Sequence, residues 1–320
     1  MGILYMASAD LQDLSYADNS SGLTISNAQA RTGTRSYCST AGGLMVPAIP
    51  LTVEGYIRYA AYVTGAIGPQ IVSNDYHFKV VCSPGSVTLE VPRDTVVVAA
   101  SVPTILANEW NVFEIHWKIA ASGGSLEVKH NGIVVAQWLN KDTYYTGSLG
   151  VRLLTMGYVT NSWAGYMDDI IIRDDQWPGR GGIYVLTPNA GSTNEGWTSS
   201  DASDPETDVE EIPPTFTNYL STDATVNGTE HTVNVTDLAS TPWNIRGVGV
   251  AAKIKATAST DAFAHTLLQT GVTKTVGADN GIEVTGQWVR DYYALNPADA
   301  AVFEAADITD IEIGIESVVV

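Results

Sequence analysis

Two pairs of adjacent acids, Asp168-Asp169 and Asp174-Asp175, bracket a run of three isoleucines and Arg173. Carboxylates crowded at a strand end and in the loop beyond it make the oxygen-rich setting that Ca2+ requires, since that ion takes several hard ligands at once. All four are candidate Ca2+ ligands, and no other cofactor is expected. In a regular strand Asp168 and Asp169 point to opposite faces, so one of them would join Asp174, Asp175 or a loop carbonyl. The competing use of the pair is structural: one carboxylate accepts hydrogen bonds from N–H groups of a neighbouring loop.

A second chemistry is offered by Trp110, Trp117, Trp138, Tyr144, Tyr145 and Trp163. Amphipathic rings suit the apolar face and polar rim of a sugar. Most of these rings fall on core-facing positions of their strands. Tyr144 and Tyr145, beside Thr143 and Gly147 in a turn, are the best exposed candidates for a glycan platform.

Catalytic patterns are missing. Glycoside hydrolysis takes two carboxylates, as nucleophile and acid/base, which alternate positions of one strand could present on one face, but Glu127 stands alone between Leu126 and Val128. The five histidines, 77, 116, 130, 231 and 265, show no zinc-binding spacing, and no serine occupies a G-x-S-x-G turn. The chain is expected to be non-enzymatic.

Strands must position these residues. Trp110–Ile119 alternates, with Val112, Glu114, His116 and Lys118 on one face and Phe113, Ile115, Trp117 and Ile119 on the other. Asn131-Gly132 suits the positive φ values of a tight hairpin turn between Leu126–His130 and Ile133–Trp138. Further strands are predicted at Tyr56–Val63, Tyr76–Cys82, Val87–Val91, Thr95–Ser101 and Leu149–Leu154, before the closing run Ile170–Ile172. Pro178, Gly179, Gly181 and Gly182 then end a unit. Beyond it, Gly191–Pro214 reads as a long, solvated, acidic excursion. Strands resume at Glu230–Val235, Ile245–Ala256, Ala264–Gln269, Ile282–Thr285, Trp288–Leu295 and Ile311–Val320, and one short helix is predicted from Asn296 as N-cap with Pro297 in its first turn.

The length of 320 residues favours two domains, placed at 1–178 and 179–320. The formal charge is −19, which sets the surface against nucleic-acid phosphates and anionic lipid. No apolar run is long enough to span a bilayer as a helix, and the N-terminus lacks the basic region of a signal peptide, so folding in a reducing cytoplasm is expected. Cys38 and Cys82 form no metal motif; they are either a disulfide or two buried thiols.

Trp110-Asn-Val-Phe-Glu-Ile-His-Trp117, Ser125-Leu-Glu-Val-Lys-His-Asn-Gly132 and Tyr166-Met-Asp-Asp-Ile-Ile-Ile-Arg-Asp174 together resemble the concanavalin A-like or laminin-G-like jelly roll. The resemblance covers residues 20–175 and implies an all-β chain: a jelly-roll sandwich followed by a second, smaller β-sandwich domain with one short helix. The later segments Tyr184-Val-Leu-Thr-Pro188, Gly196-Trp197-Thr198, Asp208-Val-Glu-Glu-Ile-Pro-Pro214 and Tyr219 are similar to virion proteins of tailed bacteriophages. That similarity implies a structural component of the particle, on head or tail, assembled in the host cytoplasm. Its partners would be other virion proteins and further copies of itself. The alternative is a lectin-like protein that binds host-surface glycan through loop aromatics; neither nucleic acid nor membrane is an expected partner.

Overall fold

The computed structural model describes residues 2–11, 20–40, 43–91, 96–145, 147, 149–157, 163–200, 208–209, 218–222, 228–238, 244–257 and 262–319. The chain is all-β and divides into two compact units, Met1–Tyr184 and Val185–Val320.

The first unit is a sandwich of two antiparallel sheets. One sheet runs in the order Ile133–Lys141, Gly124–His130, Trp110–Lys118, Glu54–Val63, Gly165–Arg173, Ser36–Ser39, Thr24–Ser26. Ile3–Ala7 adds to it along the far half of Gly165–Arg173. The other sheet runs Val96–Val102, Gly85–Val91, Lys79–Ser83, Gln70–Ser73, Val151–Gly157, Leu44–Met45, Ser20–Ser21, with Ala48–Thr52 also on Val151–Gly157. The predicted alternation of Trp110–Lys118 shows in the burial only at its end: Phe113, Ile115 and Trp117 are fully buried, His116 is half-buried and Lys118 exposed, but Val112 and Glu114 on the outer face are buried as well.

Tyr59, Phe113, Ile115 and Trp117 of the first sheet and Val80, Cys82, Val87 and Leu89 of the second are all fully buried in the core. Each such side chain contributes roughly 1.5–3 kcal/mol by leaving water. Trp117 lies 5.9 Å from Phe78 between ring centroids, and its register partner is Gly55, where a Cβ would come within 2.4 Å of the indole. The glycine is there to make room. Trp163 is buried as well, with its indole N–H donating to the Gly43 carbonyl at 3.0 Å. Both cysteines are free thiols; Cys82 is in the core and Cys38 is half-buried on the opposite face of the first sheet.

Several boundaries differ from the sequence reading. Ile3–Ala7 is a strand, although its short apolar run carries no turn signals. The strand expected from Tyr76 begins only at Lys79, because Asn74–Tyr76 forms a tight turn with left-handed backbone at Asp75 and Tyr76.

In the second unit a sheet in the order Pro188–Glu195, Thr229–Val235, Ile311–Val319, Ala262–Thr270, Thr273–Val276 faces a two-stranded ribbon of Val248–Ile254 and Gln287–Tyr293. Val250 and Tyr293 of the ribbon pack with Val235, Leu268, Phe303, Ile308 and Ile311. The acidic excursion therefore starts later than its composition indicates: Gly191 and Glu195 are paired to Val233 and His231. Residues 201–207 and 210–214 of it lie outside the described residues. The helix is also displaced. Asn296 does cap a turn, its side-chain oxygen accepting from Ala298 N–H at 3.0 Å, but Ala300 takes φ +57° and interrupts the helical path. A single helix turn, α1 (Ala305–Thr309), starts instead at Glu304, whose side chain and that of Asp307 form a reciprocal capping box.

Candidate functional site on the outer face of the first sheet

The register of the first sheet sets its outward side chains in rows. Trp110, Tyr62, Tyr166 and Cys38 stand opposite one another on four successive strands. Tyr62 meets Trp110 at 5.7 Å between centroids and Tyr166 at 5.8 Å, both edge-to-face. All three rings are half-buried, so each keeps part of its surface in solvent. Neighbouring strands are about 4.8 Å apart, so the three rings span about 10 Å. Burial, with the adjacent Cys38 and Tyr62, raises the Tyr166 hydroxyl above its ordinary range, so it is a neutral donor and acceptor.

Further along the same face the next rows hold Val112 with Ala60 and Asp168, then Glu114 with Arg58, then His116 with Tyr56. These rows are covered by the segment 176–183. Trp177 packs against Tyr56 at 5.3 Å and His116 at 5.8 Å, with Lys129 Nζ over its ring at 3.5 Å from the centroid. Gly179 N–H donates to Glu114 Oε1 at 2.7 Å. Arg31 donates through Nη2 to the Arg180 carbonyl at 2.8 Å and through Nη1 to the Gly181 carbonyl at 2.7 Å. Ile183 N–H donates to Asp169 Oδ1 at 2.7 Å. A strap thus crosses one half of the face and leaves the aromatic row on the other.

The acid pairs are distributed differently from the expected opposite-face arrangement. Asp169 has φ +54°, and the pairing with Glu54–Val63 skips between Asp168 and Ile171. This bulge breaks the two-residue alternation, so Asp168 and Asp169 are both fully buried and both turn to the Arg31-Thr32 loop. Asp168 accepts backbone N–H groups from Arg31 at 3.1 Å, Thr32 at 3.3 Å and Asp169 at 2.8 Å. Asp169 accepts from the Arg31 guanidinium and the Thr32 hydroxyl, and forms an ion pair with Arg58 Nη2 at 3.3 Å. Burial, reinforced by the neighbouring Asp169 charge, pushes the Asp168 carboxyl up to about 7. Arg58 is itself buried, which lowers it to about 10 against the pull of Asp169. Its Nε has no hydrogen-bond partner among the described residues, and the Asp169 contact is electrostatic without hydrogen-bond geometry.

Asp174 and Asp175 are elsewhere. Burial pushes the Asp175 carboxyl up, but a two-pronged bond from Arg173 at 2.7 and 2.8 Å, the charge of that guanidinium and backbone N–H groups together outweigh it and hold the carboxyl below the usual range. The backbone N–H of Asp174 donates to the Gly2 carbonyl. The four candidate Ca2+ ligands do not converge, and among the described residues no three His, Cys, Asp or Glu side chains form a metal-holding group.

Of the expected glycan platform, Tyr145 is exposed and Tyr144 is half-buried, stacked on His77 at 5.9 Å between ring centroids. Trp138 is half-buried on the edge strand, with Lys141 Nζ 5.5 Å from its ring. Tyr62 and Tyr166 were not singled out from sequence. Strand parity was the available signal: once Tyr59 is assigned inward with Phe113, Tyr62 must share the outer face with Trp110.

The fold and face define a two-unit, all-β protein whose first unit is a two-sheet antiparallel sandwich. No protein-family model and no curated protein matches the sequence. Among solved structures the chain is similar to domain 4 of AbnA, an extracellular arabinanase from Geobacillus stearothermophilus in complex with arabinotriose, with 13% identity, a TM-score of 0.41, and coverage of 54% of this chain and 92% of that one. It is also similar to the carbohydrate esterase vb_24B_21 from the Shiga toxin-encoding bacteriophage phi24B, with 12% identity, a TM-score of 0.41, and coverage of 54% and 99%. A protein of unknown function with a galectin-like fold from Bacillus subtilis has 10% identity, a TM-score of 0.37, and coverage of 54% and 96%.

Proposed function

We propose that the chain is a non-enzymatic exterior component of a tailed-bacteriophage particle whose first unit binds glycan on the outer face of its first sheet. The observation that carries the glycan reading is the row Trp110–Tyr62–Tyr166, three half-exposed rings held in register on a rigid sheet. Stacking of sugar rings on such a row needs no catalytic group, and the acids nearby are engaged otherwise. Asp168 and Asp169 serve the Arg31-Thr32 loop, and Glu114 holds the strap. The particle location rests on the residue similarity at Tyr184–Pro188, Gly196–Thr198 and Asp208–Pro214.

Binding is tested by titrating the full chain with hexamers of neutral sugars and following tryptophan emission. Saturable binding that is lost in Trp110→Ala with Tyr62→Ala, at unchanged circular dichroism, supports the reading; equal binding by that variant refutes it. Location is tested by imaging purified particles, where absence of this chain's density refutes a virion role.

A further inference from the structure

The strained turn Asn74–Tyr76 lies between the strands Gln70–Ser73 and Lys79–Ser83 of the second sheet. Two successive non-glycine residues, Asp75 at φ +57° and Tyr76 at φ +55°, are left-handed there. A bulky side chain in that region is disfavoured, and such strain persists only where surrounding contacts fix it. Those contacts are plain. Phe78 N–H donates to Ser73 Oγ at 3.0 Å, and Asn74 Oδ1 accepts from Arg152 and Leu153 N–H at 2.8 and 3.1 Å.

Its product is equally plain: Tyr76 is held 61% exposed. The next residue, His77, is fully buried and accepts the backbone N–H of Tyr145 on Nδ1 at 3.2 Å, with Tyr144 stacked on its ring. Tyr145 is thus tied through its backbone to a buried imidazole whose preceding residue in the chain is the exposed Tyr76. The carboxylate of Asp75 lies against Gly147, on the same pair of loops.

We infer that the turn Asn74–Tyr76 and the loop carrying Tyr145 form a second ligand site, for a neutral saccharide stacked on Tyr76 and Tyr145 with its hydroxyls directed to the Asp75 carboxylate. The ligand class rests on the glycan reading of the aromatic row. The two sites are separate: the row lies at the Trp110 end of its strand, whereas Thr143 and Tyr144 bond to the Ala120 carbonyl just past the Lys118 end. Eight residues of strand at about 3.4 Å each place them about 27 Å apart, so one unit would engage two points of a branched or surface-anchored glycan.

The substitution Tyr76→Gly separates presentation from packing. Glycine takes positive φ without steric penalty, and relief of the left-handed strain offsets the chain entropy that glycine adds to the unfolded state, so the variant is expected to melt at the same or a higher temperature while losing the ring. The 15N-labelled full chain is titrated with hexamers of α-linked glucose, β-linked glucose and β-linked N-acetylglucosamine. Shift changes at Asp75–His77 and Tyr145 that weaken at least tenfold in Tyr76→Gly, with shifts near Trp110 unaffected, support the inference. Shifts near Trp110 alone overturn this second site and leave the first intact. Shifts at the Tyr76 loops alone support it and move glycan binding away from the row. No shifts at either overturn both. A Tyr76→Gly variant that melts lower also overturns the inference, because the tyrosine would then be serving the fold.

Discussion

Asp169 and Arg58 form an ion pair at 3.3 Å with neither side chain open to solvent. The carboxylate is the only acid within ion-pair distance of that guanidinium among the described residues. Breaking a buried pair from one side leaves a bare charge in a poor solvent and costs about 3–5 kcal/mol. Asp169→Ala should therefore lose about that much in urea unfolding, and loosen the strap by removing the acceptor of Ile183 N–H. A loss under 1 kcal/mol would mean that water solvates Arg58.

Asp168 sets a pH dependence on the first unit. Its folded value, about 7, lies above the ordinary 3.8, so between these values the folded chain holds a proton that the unfolded chain has released. Linkage then requires the contribution of this group to stability to fall as pH rises from about 4 to about 7. Asp168→Asn, which keeps one acceptor oxygen without the charge, should flatten that slope. Unfolding midpoints measured across the range check it; an unchanged slope rejects the assignment.

His265 gives a raised titration in the second unit. Burial disfavours its charge, but Asp279 at 2.5 Å and Glu316 at 3.4 Å outweigh burial and raise it above 6.5. Glu230 stands beside Glu316 in the register and is paired with Lys274, so the cationic imidazole meets an acidic surround. Its stabilisation is complete below 6.5 and disappears as pH rises through the higher folded value. Imidazole proton shifts should report a raised titration in the native chain and a lower one in Asp279→Asn.

Gly55 makes the core prediction. A methyl group there would meet the Trp117 ring at 2.4 Å, and the indole is walled in by Phe78. Overpacking of this kind costs about 1–3 kcal/mol, so Gly55→Ala should lower the denaturation midpoint without changing its slope. No change would show that Trp117 has an alternative rotamer free.

The sandwich was legible where the residues alternate. Trp110–Lys118 reads correctly because each inward apolar residue is followed by an outward polar one, and Asn131-Gly132 marks the next hairpin, between Gly124–His130 and Ile133–Lys141, with Asn131 at φ +51° and Gly132 at φ +83°. Asp168-Asp169 misreads because a bulge leaves no signature in residue type; two acids in a row look alike with or without the extra residue. Ile3–Ala7 is unreadable for another reason, since its partner Ile170–Arg173 lies far along the chain and no local turn ties them. The aromatic row needs the register of three strands at once, which alternation in any one of them cannot supply.

The strap has a mechanical consequence. It is the last stretch of the first unit, and tension applied to the chain beyond Tyr184 reaches it from one end. The bonds at Ile183, Gly181, Arg180 and Gly179 would bear that tension in turn, followed by the Trp177 clasp. Bonds that break in succession yield at low force and absorb work over distance. Tension from that end should accordingly open the strap before the sheets beneath it.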